Sequence, residues 1–186
     1  MTDTMTDTPR DPDEPALLPI LLVPDPVLRA KAKPVRPEDA DRIRALAPQM
    51  LETMYKAPGI GLAAPQIGVG LRLVVIDLQK DDSPGPMVLV NPEVIRHSAE
   101  MATREEGCLS LPNQYAEVTR PANVTVKYQD LDGKTQQIQG DGLMAACLQH
   151  EIDHLDGVLF VDHLSPLKRN MLLRKLAKEQ KAKKFE

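Results

Sequence analysis

Residues 149–157 read QHEIDHLDG, with His150 and His154 four apart and Glu151 beside the first. On an α-helix, Leu143, Cys147, His150 and His154 follow i, i+4, i+7 and i+11 and share one face. Two imidazoles one turn apart can converge on a single metal ion, and the intervening glutamate can reach a water that the ion holds. The same letters could instead form a charged face in solvent. Against that, Leu143, Leu148, Ile152 and Leu155 make most of this helix apolar. The polar residues then lie in largely buried surroundings, where His and Glu need partners. A metal site is the better reading.

The third ligand must come from elsewhere. Metzincin peptidases use H-E-x-x-H-x-x-G-x-x-H, and the chain matches through Gly157, but Phe160 stands at the third histidine and His163 is out of register. An ion held by His150 and His154 sits near the level of residue 152. Cys147 lies five residues back, about 7.5 Å along the axis at ~1.5 Å per residue. A metal–sulfur bond is only about 2.3 Å, so Cys147 is expected to line the pocket instead. Cys108, in EEGCLSLP, is the better ligand because a glycine-flanked loop can be placed where needed.

Two alternatives stay open. One is a zinc peptidase with a downstream glutamate as ligand, but the one candidate with helical context, Glu179, lies amid lysines. The other is a non-catalytic, metal-stapled module that binds ribosomal RNA through its tail. A structural site ordinarily closes with four protein ligands, whereas three credible ligands leave an open, catalytic position.

The elements that must position these residues follow from pattern. Ile43, Leu46, Ala47, Met50, Leu51 and Met54 recur at helical spacing between Glu38 and Lys56, with Pro48 inside to kink or divide that helix. APGIGLAAPQIGVG reads as a loop, LRLVVIDL (71–78) as a buried strand and MVLVNPEVIRHS as another extended stretch. NVTVKYQDLDGKTQQIQ reads as a hairpin turning at Asp132-Gly133. LLPILLVPDPVLR is apolar but broken by prolines, as an extended edge segment would be. The metal-binding helix runs from Asp141 to Leu155 and stops at Gly157, and a last helix opens at Pro166. Strands in the middle and helices at both ends predict an α+β fold, with antiparallel or mixed sheets packed around the metal-binding helix.

GIGLAAPQ (59–66), EGCLSLP (106–112) and QHEIDH (149–154) together resemble, in order and separation, the three signature motifs of peptide deformylases. The resemblance extends over nearly the whole chain after the first residues, and the basic C-terminal helix resembles the bacterial form. It implies that Cys108, His150 and His154 bind one divalent metal ion. The resemblance implies ferrous iron in the cell, with zinc, nickel or cobalt as substitutes in preparations. It implies Glu151 as general base and acid, and Gln66 with the backbone N–H of Leu109 as oxyanion donors. Ile60, Gly61 and Gly107 would pair with the substrate backbone, while Leu143 and Cys147 line the pocket for the first methionine. The implied reaction removes the formyl group from N-formylmethionine on nascent chains by metal-hydroxide attack.

Elementary chemistry suits those roles. A divalent ion acidifies its water toward neutrality, and a thiolate among its ligands makes the site softer and more anionic. Charge developing on a formamide oxygen needs donors fixed in advance. The glycines of GIG permit the close backbone approach of an extended peptide.

Composition sets the remaining expectations. At 186 residues with 42% hydrophobic content, the chain can form one domain, expected over 17–186 after a flexible acidic tail, 1–16. Two phenylalanines, three tyrosines and no tryptophan argue against a base-stacking nucleic-acid reader. No apolar run approaches a membrane span, no export or transit signal is recognisable, and two cysteines make no disulfide framework. A cytoplasmic monomer with no membrane partner is expected. Residues 164–186 hold eight Lys and Arg against two acids in a chain of net charge −4. Leu172, Leu173 and Leu176 fall on one side of the terminal helix (about 166–184), and Arg174, Lys175, Lys178 and Lys181 on the other. The leucines are expected to anchor it and the basic face to meet ribosomal RNA phosphates.

Overall fold

The structure is a computed structural model, and it describes residues 15–184. The acidic tail lies outside the described residues up to position 14. Three helices, α1 (Ala40–Lys56), α2 (Gly142–Leu155) and α3 (Pro166–Lys183), combine with seven strands. The strands are β1 (Gly61–Ala63), β2 (Leu73–Ile76), β3 (Met87–His97), β4 (Met101–Cys108), β5 (Leu111–Pro121), β6 (Asn123–Gln129) and β7 (Thr135–Asp141). One sheet has the order β1-β2-β3-β6-β7 and β4 pairs with β5 in a separate hairpin. Every ladder between these strands is antiparallel, and the one parallel pairing among the described residues is the isolated bridge of Lys33 and Leu71, so the fold is α+β with antiparallel sheets.

The buried strand β2 explains the layering. Its alternate residues Val74 and Ile76 join a core with Leu148 and Leu155 of α2, whereas Leu73 and Val75 join one with Met50 and Met54 of α1. A four-residue apolar run therefore carries a helix on each face. A third cluster, with Leu111, Val118 and Phe160, seats Leu176 of α3 beneath the β4–β5 hairpin. Leu172 and Leu173 pack partly against it, so the three leucines anchor the terminal helix.

Three expectations are corrected. Helix α1 is not divided at Pro48: Ile43, Ala47, Met50 and Met54 form one buried stripe, and Pro48 is exposed. The lost i→i−4 bond leaves the carbonyl of Arg44, another exposed residue, open to water. The glycine-rich stretch contains β1 and a short 3₁₀ turn, Ala64–Ile67. LLPILLVPDPVLR forms no strand, because prolines at 19, 24 and 26 withhold the donors a ladder needs. It is held by isolated bonds, Leu21 N–H to Gln66 O at 2.7 Å and Val23 N–H to Ser110 O at 2.9 Å, and ends in a 3₁₀ turn, Pro26–Arg29.

The end of α2 needs its glycine. Gly157 has φ 73°, and a Cβ there would lie 2.4 Å from the carbonyl oxygen of Arg29.

Candidate metal centre and cleft

Helix α2 turns His150, Glu151 and His154 inward, at 8%, 4% and 1% exposure. Cys108 meets them from the last position of β4. It belongs to a strand, not the loop expected, and the register jumps beside it, from Gly107 opposite Tyr115 to Cys108 opposite Leu111. The donor atoms of Cys108, His150 and His154 lie within 4.8 Å of one another. Cys108 Sγ is 3.4 Å from His154 Nε2, close to the roughly 3.5 Å between a thiolate and an imidazole at tetrahedral angles on one ion. Cys147 stays outside this cluster, its Sγ 3.9 Å from the carbonyl of Ile60, and burial raises its thiol further from ionisation. Glu179 is also outside: it accepts a 2.9 Å hydrogen bond from Gln114 Nε2, which removes the alternative that made it a ligand. His163 binds Asp153, and Phe160 stacks on the His150 ring.

The donor set fits a borderline divalent cation: one thiolate and two imidazoles, the latter on a common helix face. Burial would depress the His150 imidazole, but hydrogen bonds with Cys108 and Glu106 raise it to about 10. The two rings differ, because burial and the charge of His150 push the His154 imidazole well below its ordinary range. Burial pushes Glu151 up to about 7, with the charge of His150 opposing and that of Glu106 reinforcing the rise. Its Oε2 is buried without a hydrogen-bond partner. A carboxylate oxygen left open beside three such side chains is placed to exchange a proton with whatever reacts there.

Behind the donors stands a charged network that the sequence reading missed. Glu106 Oε1 accepts from His150 Nδ1 at 2.9 Å, which leaves Nε2 of that ring for the cluster. Arg120 grips both Glu106 oxygens at 2.7 and 2.9 Å and reaches Asp153 at 2.9 Å. Burial would raise the Glu106 carboxyl, yet the bonds from His150 and Arg120 hold it at about 2. Glu106 was within reach of pattern reasoning, since two residues before Cys108 on a strand is the same face. Arg120 and Asp153 carry no local signal.

The remaining expected residues converge on an open cleft of about 810 Å³. Ile60, Gly61, Gly107, Leu109, Leu143 and Cys147 all line it. Gly61 opens β1, an edge strand of the five-stranded sheet. A Cβ on Gly61 would come within 2.7 Å of Glu151 Oε1 and 3.0 Å of Cys147 Sγ, so glycine is what lets β1 lie against α2. Gln66 is buried, not a solvated loop residue. Its Oε1 accepts from the N–H of Ala63 at 3.0 Å, and its Nε2 faces Ser110 Oγ at 3.1 Å and Cys108 Sγ at 3.6 Å. The N–H of Leu109 donates to no group among the described residues. Arg174, Lys175, Lys178 and Lys181 are exposed on α3.

Known proteins resemble this chain over most of its length. The polypeptide deformylase family profile matches residues 17–170. The peptide deformylase of Mesorhizobium japonicum is 57% identical over 166 residues, covering 89% of this chain and 94% of that protein. The crystal structure of a peptide deformylase from Legionella pneumophila superposes with a TM-score of 0.85 at 50% identity, covering 92% of this chain and 99% of that one. That of the Synechococcus elongatus peptide deformylase, in complex with actinonin, has a TM-score of 0.79 at 46% identity, covering 89% and 90%.

Proposed function

This chain belongs to the peptide deformylase family, enzymes that remove the N-formyl group from nascent peptides, and we propose how its own residues do so. Cys108, His150 and His154 hold one divalent ion. Such an ion supplies Lewis acidity, which polarises a carbonyl and acidifies water toward neutral pH. Glu151 takes the proton from the attacking water and delivers it to the departing amine. Gln66 Nε2 and the N–H of Leu109 bind the formyl oxygen as charge grows on it. The peptide lies extended between two sheet edges, bonding to Ile60 and to Gly61, which opens β1, on one side and to Gly107 of β4 on the other. Its first side chain, methionine, enters the recess formed by Leu143 and Cys147.

The observation that carries this reading is the convergence of one thiol and two imidazoles, with Cys108 and His150 lining an open cleft and an unpartnered carboxylate oxygen of Glu151 alongside. Ferrous iron is the ion we infer for the cell, since a site of one thiolate and two imidazoles accepts it readily and the family resemblance implies it. The enzyme acts as a cytoplasmic monomer beside the ribosome, which the exposed basic face of α3 contacts through RNA phosphates. No helix among the described residues is long and apolar enough to cross a membrane.

The test is release of formate from a short N-formylmethionyl peptide by anaerobically prepared protein, with free amine appearing in equal amount. The Glu151→Gln variant should hold metal at parity and release none. Cleavage of an internal peptide bond instead of formate release would overturn the proposal, and substantial turnover by Glu151→Gln would remove the glutamate's role.

A further inference from the structure

The side-chain amide of Gln66 is held at three points. The N–H of Ala63 needs an acceptor, which assigns Oε1 to that side and turns the NH₂ group toward the site. One Nε2 hydrogen then goes to Ser110 Oγ, at 3.1 Å between two buried residues. The other faces Cys108 Sγ at 3.6 Å, a long and weak contact. Only this second hydrogen is free to be taken over by a carbonyl oxygen beside the donor cluster. Ser110 itself is fixed. It sits in the turn between β4 and β5, fully buried, and its carbonyl accepts from the N–H of Val23. Two residues earlier, the N–H of Leu21 binds the carbonyl of Gln66. The segment Leu21–Val23 thus spans the two backbones that carry the oxyanion donors, and Gln180 of α3 secures it by a 2.6 Å bond to Val23 O.

We propose that Ser110 is a positioning residue: its hydroxyl, held in the β4–β5 turn, fixes the Gln66 amide so that one N–H points at the reacting carbonyl oxygen. This rests on the role given to Gln66 above. Without the hydroxyl, the amide keeps one firm anchor at Ala63 and can rotate about its last torsion, where wells are broad. The donor is then present but no longer aimed before the charge develops, and prior aim is what makes such a donor effective.

The experiment is a double-mutant cycle on the metal-loaded enzyme, measuring kcat and KM on a formylmethionyl peptide and metal by cobalt content. Ser110→Ala should lower kcat on the order of 10-fold, part of the ~10²–10³ that loss of a whole oxyanion donor costs. KM should stay within about twofold and metal at parity. In a Gln66→Ala background the same change should cost less than about twofold, because there is no amide left to aim. Unchanged kcat in folded, metal-replete Ser110→Ala overturns the inference, and so does an equal further loss in the Gln66→Ala background, which a general packing defect would give. Should Ser110→Ala fail to fold, Ser110→Cys fills the site with a bulkier group that is only a weak acceptor, and the same two readouts decide. If Gln66→Ala alone turns over normally, it is the oxyanion role of Gln66 that fails, and this inference falls with it.

Discussion

Replacing Arg120 by methionine removes the cation on which the network behind His150 depends. Arg120 and Glu106 are 7% and 8% exposed, and Asp153 is 27% exposed. Three charge-assisted bonds of 2.7, 2.9 and 2.9 Å go at once. Methionine fills much of the aliphatic stem's space, so the loss is mainly electrostatic. Glu106 is left buried with only His150 as partner, and Asp153 with His163. Stranding one charge of a buried pair costs about 3–5 kcal/mol. At ~2–4 °C per kcal/mol for a domain of this size, Tm should fall by roughly 6–20 °C. Glu106→Gln added to Arg120→Met removes the stranded charge while keeping an oxygen for His150 Nδ1. It should recover at least half of the loss. Thermal unfolding at pH 7, followed by circular dichroism at equal metal load, measures both variants. Cobalt titration should show metal affinity weakened ~10–100-fold in the single variant, as for other groups that orient a ligand imidazole. A single variant within about 2 °C of the parent, or a double variant less stable than the single, would refute the electrostatic account.

Three further outcomes are expected. Cys108→Ala should lose stoichiometric metal, whereas Cys147→Ala should keep it and chiefly change KM, as metal analysis beside kinetics will tell; full metal in Cys108→Ala contradicts the ligand set. Gly61→Ala puts a Cβ 2.7 Å from Glu151 Oε1, so carboxylate or strand must move; kcat/KM should drop on the order of 10²-fold, the usual cost of ~1 Å misplacement, with metal unchanged. Parent-like kinetics there would mean that β1 can yield. Reversing Arg174, Lys175, Lys178 and Lys181 to glutamate should abolish ribosome association, which in the parent weakens steeply with salt, and leave kcat/KM on short peptides nearly unaltered. Ribosome affinity equal to the parent at low salt would make this face merely solvated.

Much of the framework was legible because its causes are local. The stripe Leu143, Cys147, His150, His154 and the stop at Gly157 specify α2. The dense aliphatic run specifies β2, and alternation around Asp132-Gly133 specifies the β6–β7 hairpin. Even the exclusion of Cys147 from the donor cluster follows from helix rise alone. The β4–β5 hairpin escaped notice for a physical reason. MATREEGC and LPNQYAEVTRP bury few apolar residues, and their inward positions include Glu106 and Arg120, which are charged. A hydrophobic period cannot report a face that is neutralised by ion pairing. Strand β1, at three residues, is too short to have a period at all.

The sequence by itself determined which residue types meet on α2, and hence that this helix can offer two imidazoles to one metal ion. Helix rise removed Cys147 from the candidates for the third ligand, and motif resemblance then favoured Cys108. Tertiary structure decided that Cys108 arrives at 3.4 Å from His154, that Glu106 and Arg120 stand behind His150, and that Ser110 holds Gln66. Those pairs lie 14 to 46 residues apart. Helix and strand periods act over a few residues. A buried charge or amide instead takes whatever partner the packed chain brings to it, because leaving it unpaired costs more than ordering that partner.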